Sequence, residues 1–133
     1  MKKSTQSAPV PTQGQLQRSL SQQFQRLYRQ QLNHCPGKIT CQVIDEKVML
    51  VIENSVTKPE QVLVENGEAE LAKRVREDLS TALRPQIIEL IESTLEREVI
   101  DVLTDATLTT GRTSLVVILS SPPHLRPTTK KET

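Results

Sequence analysis

Tryptophan is absent from this 133-residue chain, and Phe24 and Tyr28 are its only Phe, Tyr or Trp side chains. Both fall on the core-facing stripe of a helical pattern. No strand therefore offers the aromatic platform on which bases stack in single-strand binders. Glycine is scarce as well. Gly14, Gly37, Gly67 and Gly111 stand singly along the chain and read as turn residues, which excludes a Walker loop, a dinucleotide fingerprint and the Gly-rich clamp of a KH domain. His34 and His124 are the only histidines, and neither stands near a Ser or Cys in a nucleophile arrangement, so no triad is expected. The longest apolar runs, Val48–Ile52 and Leu115–Leu119, fall far short of the ~20 residues that cross a bilayer. Lys2 and Lys3 have no hydrophobic stretch behind them and do not read as a secretory signal. The expectation is a cytoplasmic protein that is not an enzyme and carries no cofactor.

Cysteine is limited to Cys35 and Cys41, which read as two reduced thiols, partly buried. With His34 they supply at most three soft ligands and lack the paired spacing of a zinc knuckle or ribbon, so no metal site is expected. Asp101 and Asp105 share a strand face but stand too far apart to work as a carboxylate pair. Glu89, Glu92, Glu96 and Glu98 read as a solvated helix face.

Acidic residues are missing from the first third of the chain. None precedes Asp45, whereas Lys2, Lys3, Arg18, Arg26, Arg29 and Lys38 all do. The formal net charge of +1 is thus a basic head balanced by an acidic body, a layout that suits binding to itself, to a partner or to an anionic surface.

The residues that are present give an order of elements. Residues 1–13 and 121–133 are polar and proline-bearing and read as disordered tails around a single domain at 14–120. Gly14 to Asn33 predicts an amphipathic helix, with Leu16, Leu20, Phe24, Leu27 and Tyr28 on one stripe and Arg18, Arg26 and Arg29 on the other side. Ile39, Cys41 and Val43 alternate with polar residues, and Val48 to Ile52 is a continuous apolar strand, so the two predict a hairpin around Asp45-Glu46-Lys47. Thr57, Pro59 and Glu60 suggest a capped helical turn. A long helix follows, with Leu71, Val75, Leu79 and Ala82 on one stripe, broadened by Ala72 and Leu83.

Beyond Pro85 the apolar residues Ile87, Ile88, Leu90, Ile91 and Leu95 are rotated by roughly a third of a turn from that stripe. Pro85 removes a donor and disfavours helix at Arg84, so a kink or break is expected there. Val99–Leu108 and Ser114–Ser120 predict a second hairpin through Thr109-Thr110-Gly111-Arg112. The fold class is α+β: helix, hairpin, helix, hairpin, with a four-stranded, mostly antiparallel sheet and the helices on one face.

Several of these segments together resemble a known family. They are the Tyr-containing helix after Gly14-Gln15, the strand Val48-Met49-Leu50-Val51, and Thr57-Lys58-Pro59-Glu60. Arg74-Val75-Arg76, Arg84-Pro85-Gln86-Ile87-Ile88-Glu89-Leu90-Ile91 and Val102-Leu103-Thr104-Asp105 complete the set. The chain is similar over 14–119 to the MpsC-like family, a domain of unknown function named after a component of a sodium-translocating, membrane-potential-generating system. The resemblance implies an association with ion transport and brings no catalytic residues.

The function expected on these grounds is a non-enzymatic accessory or regulatory protein acting through protein–protein contacts, serving a membrane ion-transport system from the cytoplasmic side. The alternative is a nucleic-acid-associated regulator using the basic first helix. Arg18, Arg26 and Arg29 are the candidate partner-binding residues, unless they face acids such as Glu68, Glu77 or Asp78 within the fold or across a dimer. The wide apolar arc of Ile87, Ile88, Leu90, Ile91 and Leu95 is expected to form a homodimer interface.

Overall fold

In the computed structural model, which describes residues 10–127, the first helix α1 runs Gln13–Leu32. It buries Leu16, Leu20, Phe24, Leu27 and Tyr28, the stripe that the spacing predicts. Thr12 caps it: the Thr12 hydroxyl accepts the Gln15 N–H at 3.2 Å, and the Gln15 side chain accepts the Thr12 N–H at 2.9 Å. This reciprocal box satisfies two donors that a helix start otherwise leaves unpaired. Asn33 ends the helix at φ 51°, a left-handed geometry that Asn tolerates.

The hairpin β1 (Ile39–Ile44) and β2 (Lys47–Ile52) follows, then α2 (Lys58–Glu65), α3 (Ala69–Leu95), β3 (Val99–Thr107) and β4 (Arg112–Leu119). The four strands form one antiparallel sheet in the order β1-β2-β4-β3. Because β4 pairs with β2, the second hairpin lies beside the first and leaves β1 and β3 as edges. Alternate residues face the helices: Ile39, Cys41, Val43, Val48, Leu50, Ile52, Leu115, Val117 and Leu119 join Leu20, Phe24, Ile91 and Leu95 in one core. The expected α+β architecture is therefore the observed one, with the third, short helix α2 standing where a helical turn was read.

Pro85 does not break α3, which is helical without interruption through Arg84 and Pro85. The missing N–H leaves the Thr81 carbonyl without its helical donor. Thr81, Arg84 and Pro85 are all exposed, so water can serve that carbonyl. The predicted change of phase is nevertheless present. Ala72, Arg76 and Leu83 are buried in the first half and Ile91 and Leu95 in the second. At 100° per residue the second set lies about 100° further round. The helix stays continuous across this drift.

Two sequence boundaries move. A bulge between Val99 and Asp101 turns Ile100 out of register, leaving it 60% exposed. Residues 10–13 and 121–127, assigned to tails by composition, hold defined positions. The Arg126 N–H donates to the Pro11 carbonyl at 2.8 Å, Pro123 is buried, and Leu125 packs on the core. The remainder of both expected tails, 1–9 and 128–133, lies outside the described residues.

Candidate functional site

The basic face of α1 is the first candidate. At 100° per residue Arg18, Arg26 and Arg29 fall within an arc of about 80°, opposite the buried stripe, and span roughly 16 Å of helix axis. All three are exposed. Among the described residues the ion pairs are Glu46–Lys47, Glu53–Arg112 and Glu60–Arg76. The arginines therefore carry no carboxylate partner among the described residues, and Glu68, Glu77 and Asp78 do not pair with them. Arg26 and Glu89 line a common groove between α1 and α3, with Gln23, Gln30 and Gln86.

The glutamines of α1 do other work. Gln17 accepts the Val43 N–H at 3.0 Å, the Gln13 side chain donates to the Val43 carbonyl, and Gln25 donates to the Gly37 carbonyl at 2.9 Å. Ser21 donates to the Ile39 carbonyl at 3.4 Å. These residues occupy backbone groups along the outer side of β1, which would otherwise be an open edge. The glutamine content of the first helix thus belongs to the fold.

A second feature was not legible as a site. Glu60 and Arg76 are both buried and their side chains pair at 2.7 Å; Arg76 also lines a groove between α3 and β3. Arg76 also donates to the Ser55 carbonyl at 2.7 Å, while the Thr57 N–H and hydroxyl donate to Glu60 at 2.9 and 2.8 Å. Ser55 and Thr113 hydroxyls meet at 2.7 Å beside them. The groove measures about 530 Å³ and is lined by Lys73, Ser80, Thr104 and Thr107, with Glu70, Glu77 and Asp105 around it. It offers hydroxyls and carboxylates to a hydrogen-bonding group. The signal in the sequence was the Thr57-Lys58-Pro59-Glu60 cap followed by Arg76, an arginine in phase with Ala72 and Leu83.

The open face of the sheet is the third. Lys47, Met49 and Val51 of β2, Asp101, Leu103 and Asp105 of β3, and Val116 and Ile118 of β4 project away from the helices. Met49 is 45% and Leu103 55% exposed, so large apolar side chains lie uncovered at its centre.

The thiols differ from one another. Cys35 is exposed, and Cys41 is buried in β1. Burial alone pushes the Cys41 thiol up to about 12. The His34 ring nitrogen Nε2 lies 2.7 Å from the Asn54 carbonyl, to which it donates. Among the described residues no group of three or more His, Cys, Asp and Glu side chains is placed to hold a metal ion. No helix of the described residues is long and apolar enough to cross a membrane.

Two residues of the expected dimer arc on α3 belong to the core. Ile91 and Leu95 are fully enclosed within one chain, and Ile87, Ile88 and Leu90 are partly buried against the same cluster. Within one chain α1 and the sheet cover Ile91 and Leu95 completely and Ile87, Ile88 and Leu90 in part.

Comparison with family models matches residues 12–121 to the family described as "Na+-translocating membrane potential-generating system (MpsC)". No curated protein and no solved structure matches the chain.

Proposed function

The chain belongs to the MpsC family, and from that premise we propose a non-enzymatic accessory or regulatory protein that works by protein–protein contact. It serves a Na+-translocating, membrane-potential-generating system from the cytoplasmic side and acts as a homodimer. The observation that carries this reading is the face of Arg18, Arg26 and Arg29, exposed and without carboxylate partners among the described residues. Three like charges held on a rigid helix raise the rate and specificity of docking onto an acidic surface.

A nucleic acid would also answer to such a face, and it is the second reading. Phe24 and Tyr28, the only Phe, Tyr or Trp side chains, are in the core, which disfavours recognition by stacking.

The test uses the tagged full-length chain and its Arg18→Ala/Arg26→Ala/Arg29→Ala variant, each recovered from the native host with solubilised membranes. Co-purification of a membrane transport subunit with the parent chain, lost with the variant, is the expected result. Equal recovery by both would overturn the role of this face. Salt-sensitive binding of the parent chain to a mixed-sequence duplex, lost in the variant, without any membrane subunit, would put the nucleic-acid reading first.

A further inference from the structure

We propose that the open face of the sheet is the surface through which two copies of this chain associate, with a two-fold axis running along the strands. The proposal rests on the homodimer reading above and gives it a surface. Five apolar side chains, Met49, Val51, Leu103, Val116 and Ile118, project from a face that none of the described residues covers. Sheets of this kind pack face to face in near alignment, about 10 Å apart.

Charge selects the occupant and the axis. On the β1–β2 half of the face stand Lys38, Lys47 and Glu53; on the β4–β3 half stand Arg112, Asp101 and Asp105. The lysines thus stand on one half and the aspartates on the other. A two-fold axis along the strands lays β2 over β4 of the second copy and β1 over β3. Glu53 then comes over Arg112 of the other copy, and Lys47 over Ile118, whose neighbour on β3 is Asp101. Lys38 comes over Thr107, two residues from Asp105. Met49 lies over Val116 at the centre.

An in-plane axis across the strands would instead stack each strand on its own counterpart, with Asp101 over Asp105, and like charges opposed in this way are unfavourable. The present partners of Lys47 and Arg112 are exposed surface pairs, Glu46 at 3.3 Å and Glu53 at 2.9 Å. Such pairs contribute little and rearrange readily. An anionic membrane is a poor occupant, because Asp101 and Asp105 would meet its headgroups.

Sedimentation velocity on the full chain, from about 1 to 500 μM, tests the proposal. The parent chain should associate as a dimer. Val116→Asp, which places a charge at the centre of the face, should weaken association at least ~100-fold while leaving the helical circular dichroism unchanged. Lys47→Glu and Asp101→Lys should each weaken it roughly tenfold through the two symmetric copies of the contact. Combining the two should restore most of the loss, a result that misfolding cannot mimic. A dimer indifferent to Val116→Asp and to both charge reversals would overturn the sheet face and keep the homodimer reading. A parent chain that stays monomeric throughout would overturn both. Docking of the arginine face onto a membrane subunit is read in a separate experiment and stands or falls by itself.

Discussion

Arg76 grips Glu60 with two nitrogens: its Nε donates to Oε2 at 2.8 Å and its Nη2 to Oε1 at 2.7 Å, with side chains 7% and 0% exposed. Through Ser55 and Thr57 the same pair holds the exit of β2, the start of α2 and the first half of α3 together. The Glu60 carboxylate is fully enclosed and the Arg76 side chain nearly so. The pair is therefore expensive to split, whatever its net worth when whole.

Replacing Arg76 by Met should accordingly destabilise the domain by about 3–5 kcal/mol, because it strands the Glu60 carboxylate in the interior. The double variant Glu60→Leu/Arg76→Met should recover much of that loss, since no unpaired charge remains. Urea denaturation of the three proteins measures both steps. A single Arg76→Met cost below about 1 kcal/mol would mean that solvent reaches the carboxylate.

Pro85 gives a prediction of opposite sign. A proline inside a helix forfeits one hydrogen bond and crowds the carbonyl four residues earlier, at a typical cost of about 3 kcal/mol. Here that carbonyl belongs to Thr81 on an exposed face, so part of the loss is made good by water. Pro85→Ala should keep the fold and raise stability by roughly 1–2 kcal/mol in the same denaturation experiment. A fall in stability would show that the proline ring itself contributes packing.

The elements of this fold were legible because their periods are clean. Leu16, Leu20, Phe24, Leu27 and Tyr28 mark a helix face, and Ile39, Cys41 and Val43 mark a strand. The apolar arc after Pro85 was legible as a pattern, and Ile91 and Leu95 of that arc belong to the core. A helix touched by both a helix and a sheet presents the same wide arc as one touched by a second subunit, and the sequence pattern does not separate the two; burial within one chain assigns Ile91 and Leu95 to the first case. The Glu60–Arg76 pair was hidden for a related reason: a buried ion pair spends two charged residues at positions that hydropathy assigns to solvent. Met49 and Leu103 escaped notice because alternation places polar residues on the open face of such a sheet, and this sheet departs from it. The arginine face was legible, since it needed only α1 and its 3.6-residue period.

The two thiols should separate in reactivity. The nucleophile is the thiolate, and burial raises Cys41 to about 12 while Cys35 is exposed. At pH 8 the native protein should react with one equivalent of a thiol reagent per chain, and with a second only after denaturation. The sign of the linkage follows. The folded value lies above the 9.0 of the unfolded thiol, so the contribution is complete below about pH 9 and is lost as pH rises from there towards 12. Cys41→Ala should flatten that alkaline decline in melting temperature; an unchanged decline would assign it to another group.

The last prediction concerns the edge that α1 seals. Gln17 supplies the acceptor for the Val43 N–H at 3.0 Å, on the outer side of β1. Val43 itself is buried, so this amide lacks free access to water. Gln17→Ala should therefore cost about 1–2 kcal/mol and speed hydrogen exchange at the Val43 amide by an order of magnitude or more. An edge strand with unpaired groups also invites pairing with another chain, so the variant should aggregate sooner on heating. Gln17→Glu offers a carboxylate oxygen in the same place and should restore protection at Val43. Exchange that is equally fast in Gln17→Ala and Gln17→Glu would mean that α1 protects the edge by covering it and not by hydrogen bonding.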